Sequence, residues 1–376
     1  MKGIHTADWH LGKVVHGQSF LQEQREQIQR ITRLIEEESV DFVMISGDLF
    51  DRAIPPVEAL VLWESVLEEW VEELGIQVFV IAGNHDSAIR LSFANRFLGK
   101  QGVSILGDFS RFFTPLEVIH DKERIQVYFL PYLDTAYLRE ILETPQERSR
   151  EVLLRSAVER IQETWDPKAF HLLLAHEFLL GGSVSDSERP LSVGGSQAIP
   201  YRVFEDFDYV ALGHLHRAQR IGKDHIRYAG ALYPYSFSEA GRVPSVELLY
   251  FGEAGSFERE KIEIKPERTL RVVEGRLDEV LALPSSEDYL CVRIENKEVI
   301  LDLMGKLREW FPNTLRVERG QTGEAERKED ILIREVETPL ELFTSFFTEM
   351  TGDDLLSSQT AYLHGMLDGR EGEDKA

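Results

Sequence analysis

The chain of 376 residues contains one cysteine, no long uncharged run and far fewer basic than acidic residues. The single cysteine, Cys291, allows no internal disulfide and excludes a zinc site built from thiolates. No stretch approaches the ~18 uncharged apolar residues that a membrane-spanning helix requires, and no export signal precedes the first predicted strand. We therefore expect a protein of the reducing cytoplasm with no membrane span.

The formal net charge of −24 follows from 66 acidic and 42 basic side chains. This balance argues against the broad basic surface that is typical of nucleic-acid-binding proteins. It does not exclude a local phosphate site, because bound divalent cations reverse the local potential. A basic partner could also supply DNA contacts. The length predicts two or three domains.

Five short apolar runs are present, and each leads into polar residues that can bind metals. Continuous runs rich in β-branched and aromatic residues are typical of strands buried on both faces. If the five strands are neighbours in one twisted sheet, their carboxyl ends meet at one edge. The residues that follow the five runs are Asp8 and His10, Asp48, Asn84 and His85, His176, and His214 and His216.

Such a cluster would be costly to bury without a cation, so the pattern predicts a two-metal hydrolytic centre. The donors are nitrogen and oxygen with no sulfur, which suits Mn, Fe, Zn or Ni better than Mg or Ca. The Asp48 carboxylate has two oxygens and can bridge two ions. Two such ions would lower the pKa of a bound water toward ~7 and stabilise the charge on a phosphoester.

Three further residues are predicted to support this chemistry. His85 is interpreted as protonating the leaving oxygen or stabilising the transition-state charge, as a general acid would, and Asp51 and Asp86 as carboxylates that orient the histidines. The candidates for contacting DNA are His16, Arg52 and Arg90. The other histidines are interpreted as structural: His5, His120, His171, His225 and His364.

The sequence predicts two folded domains followed by a linker and a helical tail. We expect a first domain at 1–266, a small α+β domain at 267–320 and a polar linker at 321–337. The segment 338–376 begins with a capping box at Thr338-Pro339-Leu340-Glu341 and predicts two amphipathic helices. These helices either pack on their own domain or bind a partner helix. The Gly/Ser-rich stretch 181–195 is a lid, a nucleic-acid guide or a plain surface connection.

The motifs as a set resemble those of the calcineurin-like metallophosphoesterases. The matching segments are Asp8-x-His10, Gly47-Asp48-x-x-Asp51, Gly83-Asn84-His85-Asp86, His176 and Gly213-His214-x-His216. The longer strings at 5–12, 82–87 and 211–219 resemble the SbcD branch, whose members are nuclease subunits in double-strand-break repair. The resemblance implies an α/β fold, with a layered β-sandwich core flanked by helices, a small α+β cap domain and C-terminal helices.

The resemblance also implies ligands, cofactors and partners. One ion would be held by Asp8, His10, Asp48 and His216, and the other by Asp48, Asn84, His176 and His214. Family members use two divalent ions, Mn²⁺ above all, with Mg²⁺, Zn²⁺ or Fe as alternatives. They form homodimers through helices near the site. They bind an SMC-like ATPase of the SbcC type through the C-terminal helices.

The activity that the resemblance implies is exonuclease cleavage of double-stranded ends and endonuclease cleavage of single strands or hairpins. It belongs to DNA repair, recombination and replication, hence to a nucleoid-associated location. ATP turnover would be the partner's, because this chain has no Gly-x-x-x-x-Gly-Lys loop. One departure concerns the substrate cleft: Gly230-Ala231-Leu232-Tyr233-Pro234 stands where the family usually has Gly-Ser-Pro.

Two other functions compete with a nuclease. A phosphodiesterase or phosphatase acting on a smaller substrate could use the same core. Ala53 follows Arg52 where phosphatases often have Gly, and Asp86 stands where they usually have Glu. A metal-free scaffold is the other alternative, and the complete ligand set disfavours it. Metal analysis of the purified chain would separate the scaffold from either enzyme.

Overall fold

The computed structural model of the chain describes residues 1–107, 113–120, 123–188, 198–252, 256–296, 298, 300–319 and 359–360. The chain divides into two units, Met1–Gly320 and Gln321–Ala376. In the second unit, only residues 359 and 360 are described, and both are helical. The predicted linker and the rest of the predicted C-terminal helices lie outside the described residues.

The first unit contains a six-stranded sheet that begins the chain. Its spatial order is β14-β13-β1-β4-β5-β6, with β1, β4, β5 and β6 parallel and β13 and β14 antiparallel to their neighbours. The strands are β1 (Lys2–Thr6), β4 (Phe42–Ile45), β5 (Gln77–Ile81), β6 (Val103–Leu106), β13 (Ser245–Phe251) and β14 (Phe257–Glu263). A short hairpin of β2 (Val14–Val15) and β3 (Gln18–Ser19) follows β1.

A second six-stranded sheet has the order β11-β12-β10-β9-β8-β7. Its central strands β8, β9, β10 and β12 are parallel, and antiparallel β7 and β11 form its edges. The strands are β7 (Leu116–His120), β8 (Glu123–Leu130), β9 (Phe170–His176), β10 (Tyr209–Gly213), β11 (Gln219–Ile221) and β12 (Lys223–Tyr228).

The two sheets pack face to face. Alternate residues of each strand point to opposite faces, so one face of each sheet contributes to the core between the sheets. In β4, Phe42 and Met44 enter the core between the sheets, whereas Val43 and Ile45 enter the core under the helices. In β9, residues 172 and 174 likewise face the first sheet, and residues 173 and 175 face outward. Burial on both faces explains why these strands read as unbroken apolar runs.

Helices cover the outer face of each sheet. Those packed on the first sheet include α1 (Leu21–Glu38) and α2 (Val57–Leu67), and α2 continues as a π-helical turn at Glu68–Glu73. Two short helices, α3 (Ala88–Leu91) and α4 (Asn95–Leu98), follow β5. The second sheet is covered by α5 (Thr135–Ile141) and α6 (Arg150–Gln162).

A small module completes the described part of the first unit. It is a parallel sheet of three strands with two helices: β15 (Leu270–Gly275), α7 (Leu277–Leu281), β16 (Tyr289–Ile294), α8 (Leu303–Trp310) and β17 (Thr314–Arg319). It has its own apolar core around Val292 and Leu307. Tyr289 reaches α1, where its ring stacks on Phe20 at 4.8 Å and its hydroxyl donates to Glu23.

Three details differ from the expectations drawn from the sequence. The five motif-bearing strands do not share one sheet: β1, β4 and β5 lie in the first, and β9 and β10 in the second. The charged, periodic segment 144–165 predicts one helix, but the observed helix is shorter, because Ser149 caps it and it begins at Arg150. The sequence also predicts a strand at 270–273 followed directly by a strand at 290–294, but helix α7 lies between them. Among the described residues, no helix is long and apolar enough to cross a membrane.

Candidate metal centre

The motif residues converge because the strands that carry them end at the same edge of each sheet. Thr6 pairs with Ile45 at the ends of β1 and β4, and His176 pairs with Gly213 at the ends of β9 and β10. The two edges are joined directly: the Ser46 hydroxyl, just after β4, donates to the carbonyl of Ala211 in β10 at 3.0 Å. Residues more than 200 positions apart in sequence are thereby in contact.

The turns that follow β1 and β4 are held in unusual backbone conformations. Asp8, His10 and Asp48 have positive φ angles of 52°, 46° and 50°, a left-handed region that non-glycine residues seldom occupy. The two turns brace each other, since Asp8 N donates to Gly47 O and His10 N donates to Asp48 O. Gly47 itself has φ +93°, and a side chain there would overlap the imidazole of His176. Strain of this kind is concentrated at functional sites.

One group of donors surrounds the Asn84 side chain. Asn84 Oδ1 lies 3.0 Å from His176 Nε2 and 3.2 Å from His214 Nδ1. His176 Nε2 is also 3.5 Å from Asp48 Oδ2. These four residues are the set expected for one ion.

A second group lies on the other side of Asp48. His10 Nε2 is 3.1 Å from His216 Nε2 and 3.7 Å from Asp48 Oδ2. The backbone N–H of His214 donates one bifurcated hydrogen bond to the two carboxylate oxygens of Asp8, at 2.9 and 3.1 Å. Ligand atoms of Asp8, His10 and His216 lie within 4.8 Å of one another, as do those of Asp8, Asp48 and His176.

The protonation pattern of these groups fits a cation. The Ser46 carbonyl can only accept, so the 2.9 Å contact with His176 Nδ1 places that ring's proton on Nδ1. His176 Nε2 then directs a lone pair toward Asn84 Oδ1 and Asp48 Oδ2, which are themselves acceptors. Acceptors facing one another without a proton repel, whereas a divalent ion among them would be bound by all three. The mixed imidazole, amide and carboxylate set suits a first-row transition metal.

Burial shifts the pKa values of these groups toward their neutral forms. Burial, with the charge of Asp48, raises the pKa of Asp8 well above its usual range, and burial also raises the pKa of Asp48. The histidines shift the other way: burial lowers the pKa of His176 to about 4 and lowers the pKa of His10 and His214 well below normal. Neutral imidazoles are ready to bind metal, and the carboxyl groups must lose protons to do so.

His85 borders the same cluster. Its Nδ1 donates to the carbonyl of Asp51 at 2.9 Å, and its Nε2 lies 3.9 Å from Asp48 Oδ2. Its ring packs edge-on against His10 with centroids 4.6 Å apart. The backbone N of His85 donates to Asp48 Oδ1 at 2.8 Å, so the two residues hold each other.

The two carboxylates predicted to orient histidines act differently. Asp86 accepts from the backbone N–H groups of Leu49, Phe50 and Gly83, so it braces the turns that carry Asp48 and Asn84 instead of a histidine ring. Burial, with the charge of Asp48, raises the pKa of Asp86 to about 6. Asp51 orients His85 through its backbone carbonyl, and its side chain pairs with Lys13 at 2.7 Å.

Two supporting residues were missed by the sequence reasoning. Gln24 of α1 is fully buried and donates to the carbonyls of Trp9 and His10 at 3.0 and 2.7 Å, which fixes the turn that carries Asp8 and His10. Glu239 lies 3.2 Å from His216 Nδ1. Burial alone would raise the pKa of Glu239, but hydrogen bonding and charge from His216, together with Arg242, hold it at about 2. The only hint was the spacing Ser236-x-x-Glu239, which resembles a capping box.

The candidate DNA contacts lie near the site at the surface. His16 is exposed and stacks on Phe237 with centroids 5.5 Å apart. Arg52 lies 3.8 Å from Asp51 Oδ2, and Arg90 donates to the carbonyl of Ala53 at 3.1 Å.

The remaining described histidines make contacts outside the cluster. His5 is buried between the sheets, with Nδ1 3.0 Å from the Tyr209 hydroxyl and Nε2 3.2 Å from the Leu212 carbonyl; burial lowers its pKa to about 3. His171 stacks on Trp165 at 4.0 Å, and His225 Nε2 lies 3.2 Å from the carbonyl of Glu205. His120 is exposed at the end of β7. His364 lies outside the described residues.

Solved structures similar to this chain include three proteins of 11–13% identity. One is the protein TT1561 of Thermus thermophilus, with 13% identity and a TM-score of 0.39; the match covers 70% of this chain and 99% of TT1561. Another is a dimetal phosphatase from Danio rerio, with 13% identity and a TM-score of 0.40; the match covers 70% of this chain and 98% of the phosphatase. GAP50, the anchor in the inner membrane complex of Plasmodium (11%, 0.44), covers 87% of this chain, and 99% of GAP50 is covered. Similarity at this level carries no inference about function.

Two family models match the sequence itself. Residues 1–218 match the calcineurin-like phosphoesterases, and this range contains all five motifs that carry the predicted ligands. Residues 266–351 match the C-terminal domain model of SbcD, which is described as the type 5 capsule protein repressor C-terminal domain. The first match covers more than half of the chain. The chain therefore belongs to the calcineurin-like phosphoesterases, and within them it is an SbcD-type nuclease subunit and a metal-dependent phosphodiesterase.

Proposed function

We propose that the chain is a manganese-dependent DNA nuclease, an exonuclease on double-stranded ends and an endonuclease on single strands or hairpins. One observation carries the proposal: ring nitrogens of four histidines, His10, His85, His176 and His214, converge on Asp48 Oδ2 and Asn84 Oδ1 within 3.0–3.9 Å. Burying such an arrangement is costly unless protons or bound cations neutralise it. Work on DNA repair and recombination, and a cytoplasmic, nucleoid-associated location, would follow from that substrate.

Seven residues would hold two divalent ions. The first set is Asp8, His10, Asp48 and His216, and the second is Asp48, Asn84, His176 and His214. Bound there, the ions would supply Lewis acidity for a phosphodiester and for the water that attacks it. The protein's part is to present neutral imidazoles and two carboxylates in fixed positions, and the braced turns at Asp8 and Asp48 serve that purpose.

His85 is the residue best placed to move a proton. The Asp51 carbonyl fixes its Nδ1 proton, so a second proton on Nε2 would face the centre beside Asp48. We assign His85 to protonating the leaving oxygen, a role that contributes roughly 10²–10⁴-fold in enzymes generally.

A comparison of substrates tests the proposed activity. The full chain with Mn²⁺ is given a linear duplex, a DNA hairpin, single-stranded DNA and a small chromogenic phosphodiester. We expect cleavage of the DNA substrates, reduced roughly a hundredfold or more by Asp48→Asn, the cost of losing one electrostatic stabiliser. Asn tolerates the left-handed backbone at this position. Cleavage of the small phosphodiester without cleavage of DNA would instead indicate an enzyme that acts on small substrates. The net charge of −24 would be compatible with that function, because a small substrate needs no broad basic surface.

The match at 266–351 supports a partnership with an SbcC-type ATPase. We assign the nuclease domain to 1–266, the cap domain to 267–320, the linker to 321–337 and partner binding to 338–376. Truncation after Glu337 tests this assignment. Partner capture by the truncated chain should be lost while cleavage of the small phosphodiester with Mn²⁺ is kept. Retained capture would rule out the tail as the partner-binding segment.

An exposed apolar surface supports a homodimer. Helix α2 exposes Val57, Leu60 and Val61, and the segment around α3 and α4 exposes Ile89, Phe93 and Phe97, the first two of these more than 80% exposed. Arg90 of α3 donates to the Ala53 carbonyl just before α2, so the two segments are adjacent. We call these six residues the α2–α3 apolar surface and assign it to a second copy of this chain. Monomers rarely leave a contiguous apolar patch of this kind uncovered.

A further inference from the structure

His216, the last residue of the five motifs, is held on the side away from His10. Its Nε2 is the atom that lies 3.1 Å from His10 Nε2. Its Nδ1 lies 3.2 Å from Glu239 Oε1 and 2.7 Å from the Ser187 hydroxyl. The side chains of His216 and Glu239 are each only 1% exposed, so water does not compete for these contacts.

The other partners of Glu239 are all donors, which defines where the proton lies. Its carboxylate accepts from the hydroxyls of Ser185, Ser187 and Ser236, from the guanidinium of Arg242 at 2.8 Å and from the backbone N of Tyr235 at 3.2 Å. A carboxylate with five such donors is ionised and can only accept. The hydrogen bond between Glu239 and His216 therefore needs a proton on Nδ1, so the ring nitrogen that remains to bind a metal is Nε2.

A second carboxylate holds the backbone of the same residue. Glu188 Oε1 accepts from His216 N at 2.7 Å, and Glu188 Oε2 accepts from Ser185 N at 2.9 Å. Asp186 N donates to the Ser238 hydroxyl at 3.0 Å, which ties this segment to the 3₁₀ turn that carries Glu239. The described part of the Gly/Ser-rich stretch thus holds His216 by both its backbone and its ring.

We propose that Glu239 is a positioning residue for His216, which it fixes with the proton on Nδ1 and with Nε2 presented to the cation held with Asp8 and His10. The proposal rests on the proposed function, because it requires His216 to be a metal ligand. Acidic or carbonyl partners of metal-binding histidines typically change metal affinity by about 10–100-fold. Ser187 and Glu188 complete the arrangement by holding Glu239 and the His216 backbone.

The test is a Mn²⁺ titration of the metal-free full chain by calorimetry. Glu239→Gln is compared with wild type, with His216→Ala and with Glu247→Gln, which removes a buried, ion-paired carboxylate in β13. Wild type should bind two ions, and His216→Ala should lose the tight binding of one. Glu239→Gln should weaken that same site by about 10–100-fold and leave the other unchanged, whereas Glu247→Gln should leave both unchanged.

Wild-type affinities at both sites in Glu239→Gln, with His216→Ala impaired, would overturn the positioning role alone. Two unimpaired sites in His216→Ala would overturn the ligand assignment under the proposed function. A measurement on the unmutated, metal-free protein is independent of how the variants fold. Nitrogen-15 spectra of labelled histidine should show His216 protonated at Nδ1, and protonation at Nε2 would contradict the proposal.

Discussion

At the scale of single residues, substitution of His85 gives the clearest test of whether metal binding and DNA cleavage depend on different residues. His85→Ala should lower DNA cleavage by about 10²–10⁴-fold, because the leaving oxygen loses its proton donor, while both ions stay bound. Cleavage rates and metal stoichiometry check this together. The matched control is His225→Ala, which removes a histidine of β12 whose Nε2 lies against the Glu205 carbonyl, away from the cluster. Loss of metal with the loss of activity would show that His85 is a ligand and not an acid.

The residue types and their order in the sequence predicted most members of this cluster. The members that were missed, Glu239 and Gln24, were missed for physical reasons. Asp8, His10 and Asp48 could be singled out because each follows a run that reads as a buried strand. Glu239 and Gln24 could not, because one is among 66 acidic residues and the other sits inside an amphipathic helix. Their roles depend on which surfaces the fold brings together, which a linear pattern does not contain.

At the scale of elements, α2 shows how tertiary contacts change a local pattern. The sequence predicts one helix from Val57 to Leu74, but its end is π-helical from Glu68. Trp70 lies there with its indole N–H donating to Thr32 at 2.7 Å and its ring edge-on to Trp9. Both tryptophans of this helix are buried in the core. A dimer contact through α2 would therefore have to use its exposed residues Val57, Leu60 and Val61.

Disruption of the α2–α3 apolar surface tests whether this surface forms a homodimer. The double variant Ile89→Glu/Phe93→Glu should convert a dimer into a monomer, because two charges would have to be buried at the interface. Sedimentation or light scattering of the full chain measures the mass. Ile119→Glu, which changes another exposed apolar residue, in β7 of the other sheet, should leave the dimer intact. A wild-type chain that is monomeric at micromolar concentration would refute the assignment.

At the scale of the whole molecule, the centre couples stability to metal and pH. Without metal, the raised pKa values of Asp8 and Asp48 mean that their protonated forms favour the folded state. This contribution to the free energy of unfolding is complete below their ordinary pKa of about 4. It is lost as the pH rises through the raised pKa values of the two groups in the folded protein. Bound cations favour the ionised carboxylates, so the metal-bound protein does not lose this stability at high pH.

The increase in melting temperature on adding Mn²⁺ should therefore be larger at pH 8 than at pH 6. Each proton released on binding changes the affinity about tenfold per pH unit, or about 1.4 kcal/mol. Ligand excess of about a hundredfold over Kd would stabilise the fold by about 2.7 kcal/mol per site. Thermal melts with Mn²⁺ or with chelator at the two pH values measure the effect. Asp48→Asn is the control, and an equal shift at both pH values in wild type would contradict the coupling.

The architecture as a whole was predictable as layers of sheet and helix, because buried runs and amphipathic helices alternate along the chain. The division of the motif strands between two sheets was not predictable from the sequence, since every such run is equally apolar on both faces. Which sheet a strand joins depends only on the strands with which it pairs. The mutual burial of Phe42 and Met44 against Leu172 and Leu174 is a property of the assembled sandwich.

That division has a consequence for how the protein is made. Asp8, Asp48 and Asn84 emerge from the ribosome early, whereas His176, His214 and His216 are translated much later, and neither sheet carries a full ligand set. A nascent chain stalled before β10 has no complete cradle for either ion. On the proposed ligand sets, neither ion could be fully bound until His214 and His216 have been synthesised.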